Sequence, residues 1–272
     1  MKKKSSAPHS KPPLCRVNLL GGFELSIDNA VITDALNRSM KMWNFLTYCI
    51  IHRDRNIPQS EFIETLWPNE NISNPVSALK TLLYRIRMTI SPILGKSVSL
   101  IVSPRGSYSW NRNISCVTDI DEFESLCKLA RENTHSVRQC MSYYEKATAL
   151  YKGDFFPKLD NQLWAVSLRV YYHALYLDAV KAYAILLEQT EQFAKMSDLC
   201  LCPVQIDPLD ETLYTLLIRS LLRQGKNNAA LSHYETATDF LYRNLGVHPS
   251  NELRTLYSEI IDRKSTRLNS SH

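Results

Sequence analysis

The feature that most constrains the fold is a change of hydrophobic period near residue 119. Ahead of it, short strand-like runs alternate with helical patterns; behind it the pattern is helical almost throughout, without strand-like alternation. At 272 residues the chain is long enough for two modest domains, each with its own core. The expectation is a mainly α protein: a mixed α+β N-terminal domain followed by an all-α one.

Residues 1–13, "MKKKSSAPHSKPP", are rich in Lys, Ser and Pro and aperiodic, so they read as a disordered basic arm. Lys2 to Lys4 would touch nucleic acid nonspecifically or nothing. The runs "CRVNLL", "FELSI" and "AVIT", separated by Gly21-Gly22 and Asp28-Asn29, predict a small antiparallel sheet. Three helical patterns follow. The first spans 39–52 around Trp43, Leu46 and Ile50; the second spans 59–67 around Phe62, Ile63 and Leu66, between Pro58 and Pro68.

The third is "NPVSALKTLLYRIR" at 74–87. Asn74 and Pro75 form a helix start, and Leu79, Leu82, Leu83, Ile86 and Ile90 recur along one helical stripe. Ser77, Lys80, Thr81, Tyr84 and Arg85 fall away from that stripe, with Arg87 on its flank. This outer face holds donors and cations but no carboxylate, whereas a solvated helix usually mixes its charge signs. Behind it, "SVSLIVSPRGSYSWN" predicts two strands joined at Pro104-Arg105-Gly106, with Gly106 free to take positive φ. Strands, three helices and a hairpin are the order of a winged helix-turn-helix. In that arrangement the third helix lies in a major groove, and the hairpin, with Arg105 and Ser107 at or beside its tip, reaches the neighbouring backbone or minor groove.

Charge agrees with that reading. Residues 1–115 hold 15 Lys and Arg against 7 Asp and Glu, and residues 116–272 hold 17 against 20, so the positive field sits on the N-terminal part. Such a field attracts phosphate backbones or anionic lipid; without an amphipathic membrane helix or lipidation motif, phosphate is favoured. No apolar run is long enough to span a bilayer, and the basic start has no apolar segment behind it, so a cytoplasmic protein is expected. Seven cysteines without repeated spacing suit reduced thiols. Cys200 and Cys202 are too close for a zinc pair and have no His nearby, so no metal and no cofactor is expected.

In the C-terminal part, "DIDEFESLCKLARE" opens with Asp119 three residues before Glu122, a capping-box-like start. "YEKA" at 144–147 and "YETA" at 234–237 repeat a Tyr-x-x-Ala signature. Gly225 marks a helix–helix turn, and Ala229, Ala230 and Ala237 mark close helix approach. Pro249 lies 41 residues after Pro208, against a tetratricopeptide period of about 34. These are degenerate, TPR-like helical hairpins.

With those residues in view, the segment from "ITDALNRSMKMWNFL" through "SALKTLLYRIRMTI", with "IVSPRGSYSW" behind it, resembles the OmpR-type winged helix of SARP-class transcriptional regulators. "YKGDFFP", "WAVSLRVYYHALYLDAV" and "RNLGVHPSNELRTLYSEI" resemble the bacterial transcriptional activation domain (BTAD) that follows it in that class. The implied layout is a winged helix at 14–115, a BTAD at 116–262 and a tail at 263–272 that looks like translated adapter or vector sequence. The resemblance implies sequence-specific binding to promoter double-stranded DNA at direct repeats, homodimerisation on that DNA, and activation by recruiting RNA polymerase. It implies a recognition face of Ser77, Lys80, Thr81, Tyr84, Arg85 and Arg87, wing contacts by Arg105 and Ser107, and backbone contacts by Lys41 and Arg38. Base-edge contacts would come from Lys80 or Arg85, to guanine. Pro203 departs from the pattern, interrupting "DLCLCPVQIDP" where the class continues a helix.

Other readings fare worse. No phosphate-binding glycine loop, G-x-S-x-G or H-E-x-x-H occurs, so no enzyme is expected. No receiver domain is recognised, so aspartyl phosphorylation on this chain is unsupported. Trp43, Trp67 and Trp110 read as core, and His173 and His233 as structural, without a carboxylate at matching spacing. A protein-interaction scaffold is the alternative, with the helical half binding a partner and the winged helix docking. RNA binding lacks an RNP-like aromatic motif.

Overall fold

The computed structural model describes residues 13–68, 70–95, 98–133 and 135–269; side-chain surroundings are described as far as Arg263. The expected arm lies outside the described residues except for Pro13, as does the end of the tail from Ser270. Packing divides the chain into two compact units. One takes the chain as far as Phe123 together with Leu150–His173, and the other takes Glu124–Ala149 together with the chain from Ala174 onward.

The first unit opens with β1 (Leu14–Asn18), β2 (Glu24–Ile27) and β3 (Ala30–Thr33), which pair antiparallel. Inward residues alternate along β1, where Cys15 and Val17 are buried and Leu14 and Arg16 are exposed. Three helices and the wing follow: α1 (Met40–Ile51), the short β4 (Ile57–Pro58), α2 (Gln59–Leu66), α3 (Pro75–Leu94), β5 (Ile101–Val102) and β6 (Ser107–Trp110). β4, β6 and β5 form a small antiparallel sheet in that order. Phe45 of α1, Phe62 of α2 and Tyr108 of β6 close the core, with Phe45 and Phe62 stacked at 4.4 Å and Tyr108 edge-on to both at 5.9 Å.

Long-range pairing adds a strand that no local pattern announces. β7 (Ser115–Thr118) lies parallel to β1, giving a sheet in the order β3-β2-β1-β7. It leads directly into α4 (Asp119–Glu132), whose start differs from expectation. Thr118 is the cap: its hydroxyl accepts from the Asp121 backbone N–H at 3.1 Å. Asp119 instead turns its buried carboxylate onto the end of β1, accepting from Leu19 and Leu20 N–H at 2.8 Å. Burial raises this carboxyl's pKa, and the backbone donors pull against that rise.

The chain returns to this unit at Leu150–His173. Gly21 N–H donates to the Asp154 carbonyl at 2.9 Å and Phe156 N–H to that of Leu19 at 2.7 Å, so the two distant loops run backbone to backbone. Gly21 takes φ +97°, and a Cβ there would stand 2.9 Å from the Lys152 carbonyl carbon. His173 has the carboxylate that sequence spacing hid: its Nδ1 lies 2.9 Å from Asp154 Oδ1, which also accepts from the Tyr151 hydroxyl at 2.5 Å. Burial pushes the Asp154 carboxyl up, but these two partners outweigh it and hold it below the usual carboxylate range.

The second unit is all α, as expected. Beyond the shared α4, it draws on α5 (Val137–Leu150), α6 (Leu163–Gln189), α7 (Phe193–Leu201), α8 (Pro203–Ile206), α9 (Glu211–Arg223), α10 (Asn227–Leu245) and α11 (Asn251–Asn269). Residues 124–149 and 174 onward of these helices belong to it. Pro203 interrupts the chain as read, taking the first position of α8 immediately after α7 ends. α9 packs against α7, α10 and α11. Its Arg219 joins Glu188 at 3.0 Å and Glu252 at 2.6 Å, and Asp210 caps its start through Leu213 N–H at 3.2 Å. Gly225, at φ +72°, makes the turn into α10, where Ala230 and Ala237 are wholly buried. Among the described residues, no helix is long and apolar enough to cross a membrane.

Candidate nucleic-acid interface

α3 begins where the sequence places it. The Asn74 side chain accepts from Ser77 N–H at 2.9 Å, and Pro75 takes the first turn. Leu79, Leu82, Leu83, Ile86 and Ile90 are buried, while Ser77, Lys80, Thr81, Tyr84, Arg85 and Arg87 are all exposed. At 64% exposure Tyr84 is a surface side chain and not part of the apolar stripe. The face also holds Met88, 58% exposed, which the sequence reading passed over. Its signal was present: it stands eleven residues, about three turns, from Ser77.

Hydrogen bonds fasten the wing to the helices on both sides of its turn. Gln59 N–H, at the uncapped start of α2, donates to the Gly106 carbonyl at 3.1 Å, so the wing turn supplies the partner that Pro58 cannot. Arg87 donates to Ser103 Oγ at 3.3 Å, linking α3 to the strand end before the turn. Gly106 takes φ +68° as anticipated, and Ser107 N–H closes the turn on the Pro104 carbonyl at 3.0 Å. Arg105 is exposed at the tip and Ser107 is half-buried.

The remaining cations of this unit divide into occupied and unoccupied. Among the described residues, the side chains of Arg38, Lys80, Arg85 and Arg105 make no hydrogen bond or ion pair. Arg53 pairs with Asp121, and Arg55 with Glu61, which also accepts from the Tyr48 hydroxyl at 2.6 Å. The Arg55 bonds hold the Glu61 carboxyl at about 2, against the desolvation that opposes them, with Tyr48 helping. Lys41 sits between Glu70, at 2.8 Å, and the Trp67 ring, 5.0 Å from its centroid. Trp67 is therefore half-buried under a cation, whereas Trp43 and Trp110 lie in the core.

The architecture defines a class: a winged helix-turn-helix on the same chain as an all-α unit of helical hairpins. Residues 118–261, more than half of the chain, match the family described as bacterial transcriptional activator domain. The chain belongs to that family of transcription regulators, in the SARP class that sets an OmpR-type winged helix ahead of it. It is 24% identical over 219 residues to the regulatory protein AfsR of Streptomyces coelicolor, a match covering 79% of this chain; the chain spans about a fifth, 21%, of that relative's length. In fold it is similar to Mycobacterium tuberculosis EmbR, solved in complex with a low-affinity phosphopeptide. That match has a TM-score of 0.67 and 17% identity, covering 94% of this chain and 69% of the other.

Proposed function

We propose that this chain is a sequence-specific, double-stranded DNA-binding regulator that activates transcription from the cytoplasm. Its winged-helix module at 14–115 binds promoter DNA, and its activator module at 116–262 pairs two copies on adjacent direct repeats and recruits RNA polymerase. One observation carries the reading: α3 buries one face completely and exposes an opposite face with unpartnered Lys80 and Arg85 and without a carboxylate anywhere along its length.

In this reading α3 enters the major groove while Arg105 at the wing tip meets the neighbouring backbone. Lys80, Arg85 and Arg87 neutralise phosphates along the groove, and Arg38 and Lys41 add backbone contacts from the start of α1. Ser107 acts by holding the wing turn. The experiment is selection of fragments of the source genome by the purified chain, in parallel with Lys80→Ala/Arg85→Ala. Enrichment of a few promoters bearing repeats, lost in the variant, supports the reading; no enrichment, or enrichment that the substitutions leave intact, overturns it.

A further inference from the structure

The exposed face of α3 is not uniformly cationic, and the order of residues across it divides the work of recognition. At roughly 100° per residue, Ser77, Thr81, Tyr84 and Met88 fall in one row about 60° wide. Lys80 and Arg87 lie roughly 40–60° beyond one edge of that row, and Arg85 roughly 40° beyond the other. The row itself carries no charge and is open: Tyr84 is 64% and Met88 58% exposed, and Thr81 is exposed as well.

A single exposed apolar side chain needs no explanation, but a Thr methyl, a Tyr ring and a Met thioether in one row, with cations on both sides, do. In a major groove, cations on the flanks face the phosphate walls and the central row faces the base edges. The one apolar group that B-DNA presents there is the thymine 5-methyl. From Thr81 to Met88 the helix advances seven residues, about 10 Å, which is the length of about three base-pair steps.

We propose that Thr81, Tyr84 and Met88 read thymine methyl groups over about three consecutive base pairs, while Lys80 and Arg87 on one side and Arg85 on the other hold the phosphates. This rests on the duplex-binding reading above and sharpens it: specificity comes from the uncharged row, and guanine-reading by Lys80 or Arg85 is replaced by phosphate contact. The operator is accordingly thymine-rich where α3 lies.

The test uses the full chain and its genome-selected duplex, with thymines replaced one at a time by deoxyuridine, which removes only the methyl. The expected result is a loss of about four-fold in affinity per methyl at up to three neighbouring positions, the size of one buried CH₂. Thr81→Ser, which keeps the hydroxyl, abolishes the sensitivity at one of those positions, and Met88→Ala at another. If deoxyuridine is accepted at every position while Lys80→Ala/Arg85→Ala still destroys binding, the duplex reading stands and the methyl-reading row is wrong. If the chain binds no duplex at all, both fail together.

Discussion

Trp164 Nε1 donates to Asn44 Oδ1 at 2.9 Å, and the same Asn44 amide donates to Gln162 Oε1 at 2.6 Å. Asn44 is 2% exposed on α1, so a buried amide of the helix-turn-helix is satisfied wholly by residues more than a hundred positions later. Tyr48, one turn along, packs edge-on to Trp164 at 5.0 Å. The winged helix is thus completed by Leu150–His173. Asn44→Ala should cost about 1–3 kcal/mol, because it leaves the Trp164 donor unpaired. A chain ending at 115 should unfold at lower denaturant than one ending at 173, and equal midpoints would contradict this account of the core.

The crossing of the two loops at Gly21 gives a second expectation. Gly21→Ala combines a strained φ with overlap on Lys152 and should cost about 2–4 kcal/mol. Gly106→Ala meets nothing within 4 Å and should cost only about 1 kcal/mol for its φ. Chemical denaturation of the two variants side by side reads the difference.

Acid should weaken the first unit through Glu61. Its folded value of about 2 lies below the ordinary value near 4.5, so the native state binds its proton less readily than the unfolded chain does. The stabilisation is complete above about pH 4.5 and drains away as pH falls towards 2. Glu61→Gln should be less stable at neutral pH and should lose this part of the acid-side slope in a pH series of unfolding midpoints.

Lys41 bears on binding in an unusual direction. Its bidentate contact with Glu70 competes with any phosphate. Glu70→Gln releases the cation and removes a negative charge, so it should tighten duplex binding and steepen its salt dependence by up to about one phosphate contact. Lys41→Ala alone should change affinity less than Arg85→Ala does. Titrations at several salt concentrations separate the two.

Local signals carried the parts of the molecule whose causes are local. The Asn74 cap, the apolar stripe from Leu79 to Ile90 and the Pro104-Arg105-Gly106 turn each depend on neighbours within a few residues, and each was legible. β7 was not, because "SCVT" becomes a strand only by pairing with β1 a hundred residues earlier. Asp119 mimicked a cap because an acid before a helix is the ordinary signal; its actual partners are Leu19 and Leu20. Separations of 19, 29 and 120 residues likewise hid Asp154 from His173, Glu70 from Lys41 and Trp164 from Asn44. At the candidate interface, residue types and helical phase sufficed to list the exposed face apart from Met88. Which of its cations are free, and that its centre line is uncharged through Met88, required exposure and ion-pair geometry.

In the proposed function the outer face of α3 is a DNA-binding surface. Its most direct test is the affinity of the full chain for a selected duplex across salt, compared with Lys80→Ala/Arg85→Ala of unchanged circular dichroism. The variant's log–log salt slope should be shallower by about 1.8, two phosphate contacts at about 0.9 each, and its affinity should fall. An unchanged slope and affinity would show that α3 is a solvated core helix and that function lies elsewhere on the chain.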